Sequence, residues 1–283
     1  MGYPDLPSAV KTLLADEEVR THHHLWHFVR NRSGWDNLSD ANRAQLEAEH
    51  WKAPRFENEP GSGIDFLGMH RHMIEMANSA LLASADPNWP SVIGWDPIPW
   101  PNNHSDWPVP EWQKSAPTWA SDKQWKEYTN TATQERTPAR IQEMQRVSEQ
   151  LDNSARLKGM TLDQLGTAIE WSIHGWMHIR WSGKPKNDAF SSDISNDWLF
   201  LPWSSHVNKH FWKLHGWIDN RIGKWETATG EQADLTGAWA GPAGAVHHEF
   251  HKADTKLLSL IPPRQTTPLP MQIKQDVIEN ILR

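Results

Sequence analysis

The sequence predicts a mainly α-helical protein, arranged as two helical blocks separated by a long irregular insert. Three observations carry that prediction. Apolar residues and histidines recur at helical spacing in both blocks. Histidine pairs at i and i+4 stand on two separate predicted helices, at His23/His27 and His174/His178. Between the blocks, over roughly residues 85–137, proline and tryptophan alternate at a density that forbids long helices and interior strands. No internal repeat or low-complexity tail interrupts this plan, and residues 1–283 read as a single domain.

The first block predicts a helix over about 16–31, with Gly34 as a stop and Val19, His23 and His27 on one face. A largely polar stretch over 39–50 forms a weaker helix. The next strong helix covers about 65–84, places Phe66, His70, Met73 and Ala77 on one face, and ends at Asp86-Pro87. The insert holds Trp89, Trp95, Trp100, Trp107, Trp112, Trp119 and Trp125 among its prolines and is expected to form an ordered cover packed on the body. The second block opens with a helix over about 138–157, with Ile141, Met144, Val147 and Leu151 at helical spacing and proline at its start. Thr161-Leu-Asp-Gln164 is a capping-box sequence that opens a helix to about Trp181, with Glu170, His174 and His178 on one face. A last strong helix covers about 205–225, and the tail over 226–283 carries one or two short helices.

Composition excludes several classes of function. The 283 residues include 28 Lys+Arg against 35 Asp+Glu, a net charge of −7, which argues against nucleic acid or an anionic membrane as the main partner. The absence of cysteine removes disulfides, thiolate metal sites, iron–sulfur clusters and cysteine nucleophiles. No apolar run is long enough to span a bilayer, and the N-terminal stretch does not read as a secretory signal, so a cytoplasmic location is expected. What remains in excess is histidine, with 16, and tryptophan, with 19.

On a helix, histidines at i and i+4 point the same way and can reach one metal ion. Each pair has a single histidine on another predicted helix that completes a three-nitrogen set: His70 for His23/His27, and His215 for His174/His178. Neutral imidazole suits copper, zinc, iron and nickel. At about 100° per residue, His206 and His210 fall away from the face of His215, and His72 away from that of His70. His24 stays open by this test, because His24/His27 is an i, i+3 pair. His247, His248 and His251 read as solvated tail or as neighbours of the ligands.

At these residues the sequence resembles the type 3 (dinuclear) copper proteins of the tyrosinase/hemocyanin superfamily, most closely the copper domain of arthropod hemocyanins and prophenoloxidases. His22-His23-His24-Leu25-Trp26-His27-Phe28-Val29 is similar to HHWHWHLV at the first copper. Phe66-Leu67-Gly68-Met69-His70-Arg71-His72-Met73 is similar to FYYMHQQM. His174-Gly175-Trp176-Met177-His178-Ile179 is similar to HNWGHV at the second copper, and residues 211–220 to FYRWHRFIDN. The ordered set selects His23 over His24. It implies two copper ions, one on His23, His27 and His70 and the other on His174, His178 and His215, binding O2 between them as peroxide. It also implies a central antiparallel four-helix bundle from the helices over about 16–31, 65–84, 162–181 and 205–225. Two departures stand out: Gly175 replaces the Asn associated with monophenol hydroxylation, and Asn208-Lys209 replaces an Asp-Pro pair.

The resemblance implies an enzyme, a copper-dependent phenol oxidase or monooxygenase acting on a phenol, catechol or aminophenol. O2 and a small aromatic molecule are the expected partners, with room for a copper-delivery protein. A non-catalytic hemocyanin-like O2 carrier, or a bundle holding another metal, is the alternative. Glu170, one turn before His174, is similar to a tyrosinase glutamate near the coppers and is the expected proton acceptor from a phenol. Asp219 is expected either to steady the last helix or to pair with Arg221 or Lys224. Phe200 and Trp203 are expected to line the entrance.

Overall fold

The chain was analysed as a computed structural model, which describes residues 2–183, 188–242, 251–261 and 273–283. It is mainly helical, and no strand occurs among the described residues. Among those residues, no helix is long and apolar enough to cross a membrane.

Helix α1 (Ser8–Leu14) leads into α2 (Glu17–Arg30), whose N-terminal amides are capped by the Asp16 carboxylate. The chain leaves α2 at Asn31, not at Gly34, because the Asn31 side chain accepts from Gly34 N and starts the short α3 (Arg32–Asp36). Helix α4 (Asp40–Ala48) follows, then the long α5 (Ser62–Ser84). The predicted insert is irregular only in its first part. The proline-free stretch after Pro117 forms α6 (Asp122–Gln134), capped by Ser121, and so corrects the expectation of an insert without long helices. Helix α7 (Pro138–Gln150) begins on a Thr137 cap with proline in its first turn, then breaks before α8 (Ser154–Lys158).

The predicted capping box is present: Thr161 and Gln164 satisfy each other's backbone amides at the start of α9 (Leu162–Ile169). The helix continues through a π-helical segment (Glu170–His174) into α10 (Gly175–Arg180). Helix α11 (Pro202–Ser205) precedes α12 (Lys209–Thr229), which is capped by Asn208 and closed by Gly230 at a φ of 77°. A 3₁₀ segment (Thr255–Leu260) and α13 (Gln275–Leu282) complete the described tail.

Two close approaches at glycine fix the packing around α5 and α12. Helices α5 and α9 cross backbone to backbone, and a Cβ on Gly166 would stand 2.1 Å from the Gly63 carbonyl oxygen. The Asp163 carboxylate, in the first turn of α9, accepts from Gly61 N and Gly63 N at 2.8 and 2.9 Å. It therefore caps α5, whose own cap residue is a glycine without a side chain. The second contact joins the insert to α12: a Cβ on Gly94 would lie 2.1 Å from Trp217 N.

The insert covers the body, as expected. Trp89, Trp95 and Trp107 join the main core, which runs from Leu6 to Ile281. Arg180, fully buried between the Trp176 and Trp181 rings, donates to the carbonyls of Pro99 and Trp100. One guanidinium thus satisfies backbone groups that the prolines leave without a ladder. Phe200 and Trp203 do not line an opening. Both are buried, with Trp125 and Trp198, in a second aromatic cluster.

Candidate metal centre

Four helical segments bring six histidines together. His23 and His27 come from α2, His70 from α5, His174 and His178 from the π segment and α10, and His215 from α12. Ring nitrogens of His23, His27 and His70 lie within 4.8 Å of one another, as do those of His70, His174 and His215. His70 thus belongs to both groups, and its ring stacks on that of His215 at 4.4 Å. The His178 ring lies 4.6 Å from His174 and 5.6 Å from His215. The two groups therefore hold five of the six residues singled out in the sequence, and the His178 ring lies beside the second group without belonging to it.

The tautomers follow from the hydrogen bonds. Nδ1–H of His70 donates to Phe66 O at 2.8 Å, that of His215 to Phe211 O at 2.7 Å, and that of His178 to Leu199 O at 2.7 Å. His174 bonds the backbone of Glu170. A neutral imidazole that donates from Nδ1 keeps its lone pair on Nε2. The Nε2 atoms of all six histidines are buried and lack a partner. A buried polar atom without a partner costs about 1–3 kcal/mol, so six converging on one place mark a place built to bind something. Buried orphan ring nitrogens also occur at His24, which packs against Phe190 and Trp203, and at His210, which packs against Trp95, Trp107 and Trp181, away from the six.

Burial sets the charge state. It pushes His23, His27, His174 and His215 well below the usual histidine range, and neighbouring imidazoles push further. His70 is lowered to about 3 and His178 to about 4, again chiefly by burial. At neutral pH all six are uncharged and offer lone pairs without first losing a proton. Aromatic walls fix the rings: Phe211 stacks on His215 at 3.7 Å, and Phe66 meets His70 at 4.6 Å and His174 at 4.8 Å. His27 alone of the six is not fully buried.

His24 points to Phe190 and Trp203, away from the cluster. His72 faces His251, whose ring also stacks on His22. His247 and His248 lie outside the described residues. Glu170 has a different partner from the one expected. Both carboxylate oxygens accept from the buried Arg30 guanidinium, at 2.7 and 3.2 Å, and Arg30 also donates to Ser62 O and stacks on Trp26. Burial raises the Glu170 carboxyl and Arg30 opposes it. With both oxygens held, Glu170 ties the π segment to α2, which is not the posture of a proton acceptor. Asp219 pairs with Arg71 at 2.6 Å, joining α12 to α5, and not with Arg221 or Lys224, which both take Asp152.

Sequence reasoning missed His206. Its Nε2–H donates to Leu14 O at 2.9 Å, which leaves Nδ1 to accept from Nδ1–H of His23 at 3.0 Å. His23 is thereby held by another imidazole. No family model matches this chain, and a search of curated proteins finds none that matches it.

Proposed function

We propose that this chain is a type 3 dinuclear copper protein, an oxidoreductase that uses O2 to hydroxylate or oxidise a phenol, catechol or aminophenol. The observation that carries this reading is the convergence of six neutral imidazoles with buried, unpartnered Nε2 atoms. No carboxylate or thiolate belongs to either group, and a purely imidazole set suits copper while disfavouring a diiron centre, which needs several carboxylates. His23, His27 and His70 would hold one ion, and His174, His178 and His215 the other. Bound copper would supply the two electrons that O2 takes up.

The chain's own contribution is positioning and exclusion. Backbone carbonyls fix ring orientation at His70, His174, His178 and His215. Phe66 and Phe211 keep water from the rings they cover. The half-buried His27 marks the side from which a small planar substrate would approach.

The test is anaerobic titration of metal-free protein with Cu(I), followed by O2 and then by phenol, catechol and o-aminophenol in turn. Two coppers per chain, an intense near-ultraviolet band on adding O2, and oxidation of at least one substrate are expected. His215→Ala should lose about half of the copper and all of the band. His70→Ala should lose the copper held with His23 and His27, and with it the band, since either ion alone cannot give it. A reversible band without oxidation of any substrate would favour the O2 carrier, and tighter binding of zinc with no band would overturn the copper reading.

A further inference from the structure

On the side of α12 away from the histidines, the insert and the N-terminal segment enclose a groove of about 460 Å³. Tyr3, Trp95, Trp100, Trp107, His104 and Lys213 line it. The size suits one or two fused rings. Trp100 is half-buried and presents part of its face, while Trp95 and Trp107 are buried behind the surface and stiffen the walls.

Lys213 is the unusual member. Its side chain is 7% exposed, yet its ammonium makes no hydrogen bond or ion pair with any described residue. Nζ lies 4.4 Å from the centre of the Tyr3 ring and 5.2 Å from that of Trp89. These ring faces offset part of the cost of burying the charge, and burial still lowers the lysine from its ordinary value. A lysine so largely covered, whose ammonium has no acid partner, is the exception among protein charges. The nearby Lys209, by contrast, donates to Tyr3 O and has Asp5 close by.

We propose that this groove binds a small aromatic carboxylate, with the carboxylate on Lys213 and the ring against the tryptophan wall. The alternatives fit the walls less well. A cationic ligand would meet an ammonium that already occupies the ring faces of Tyr3 and Trp89. A phosphate would find one lysine where such groups gather several donors. The exposed Asp96 on the rim, whose charge Arg221 partly offsets, opposes a doubly charged phosphate more than a singly charged carboxylate. A neutral ring would leave the ammonium without its counter-ion. Trp95 N donates to Lys213 O at 3.1 Å, so an occupant would rest on the turn of α12 that precedes His215. The site itself needs no metal.

The probe is indole-3-carboxylate, titrated into the full metal-free chain by calorimetry, with indole side-chain N–H resonances followed by NMR. Saturable submillimolar binding is expected, with the largest shifts at Trp95, Trp100 and Trp107. Indole-3-carboxamide, inorganic phosphate and indole-3-ethylammonium should each bind at least tenfold more weakly. Lys213→Met should weaken the carboxylate at least tenfold, and Lys213→Arg should restore most of it. If Lys213→Met fails to fold, Trp100→Ala at the half-buried wall and the carboxylate-to-carboxamide ratio decide. Equal affinity for carboxylate and carboxamide, or shifts elsewhere than at these tryptophans, would overturn the proposal.

Discussion

Around α5, the π segment and α12, every ring of the histidine cluster is tied to a backbone carbonyl; on α2 neither ring is. His70, His174 and His215 each bond the carbonyl four residues back in their own helix, and His178 reaches Leu199 O. Helix geometry alone sets three of those four anchors, so they survive changes in neighbouring side chains. His23 depends on the His206 ring, which depends in turn on Leu14 O at the end of α1. His27 is the least enclosed of the six. One half of the site is thus built by the backbone, the other by side chains borrowed from distant segments.

The largest expected effect strikes the backbone-built half. Gly166→Ala would push a methyl into the Gly63 carbonyl and force α5 from α9. The cost is about 3 kcal/mol, or roughly 10 °C in Tm. Because α9 leads directly into the π segment, the second metal should weaken more than the first. Gly223→Ala in α12 is the control: a Cβ there meets nothing within 4 Å. It should stabilise by about 0.5–1 kcal/mol. Thermal melts and copper titrations of the two variants together test whether helix crossing sets that half. A melt for Gly166→Ala at the parent temperature would break the comparison.

A smaller and more local loss is expected from His206. His206→Phe removes the acceptor for His23 and should weaken one of two copper-binding steps by about 10–100-fold, leaving the other unchanged. His206→Gln offers a side-chain oxygen in the same region and should recover part of the loss. Nitrogen-15 NMR of the metal-free protein gives a readout that packing alone would not move: His23 should hold its Nδ1–H tautomer in the parent and lose that preference in His206→Phe. Equal weakening of both copper-binding steps would erase the distinction between the halves.

Much of this site was legible before the fold, and the reasons differ residue by residue. Histidines four apart on an apolar face announce themselves through helical periodicity, single histidines on two further predicted helices supplied His70 and His215, and the order of motifs chose His23 over His24. Periodicity also placed Glu170 on the histidine face, but its Arg30 partner stands 140 residues away, and local spacing carries no record of such a pairing. His206 is similar: its angle relative to His215 says what it does not share, and nothing about the ring it meets 183 residues earlier. Helix α6 was hidden by treating the insert as one unit, although its prolines stop at Pro117 and Ser121 supplies a cap. The glycine crossings were illegible for the same long-range reason, since a helix-interior glycine shows its purpose only against the backbone it meets.

The smallest expected effect is at Asp219, and it sharpens the comparison most economically. Its 2.6 Å ion pair with Arg71 joins the helices carrying His70 and His215, on a partly exposed surface. If that pair positioned the two rings, Asp219→Asn would disturb metal binding. If carbonyl anchors and helix packing position them, the variant should cost less than about 1 kcal/mol, as exposed ion pairs do. Both copper-binding steps should then keep their affinities, with the small stability loss shrinking further as salt is raised. Urea unfolding at low and high salt, beside a copper titration, separates these outcomes. Loss of either copper in Asp219→Asn would mean that side chains, and not the backbone, hold both halves of the centre.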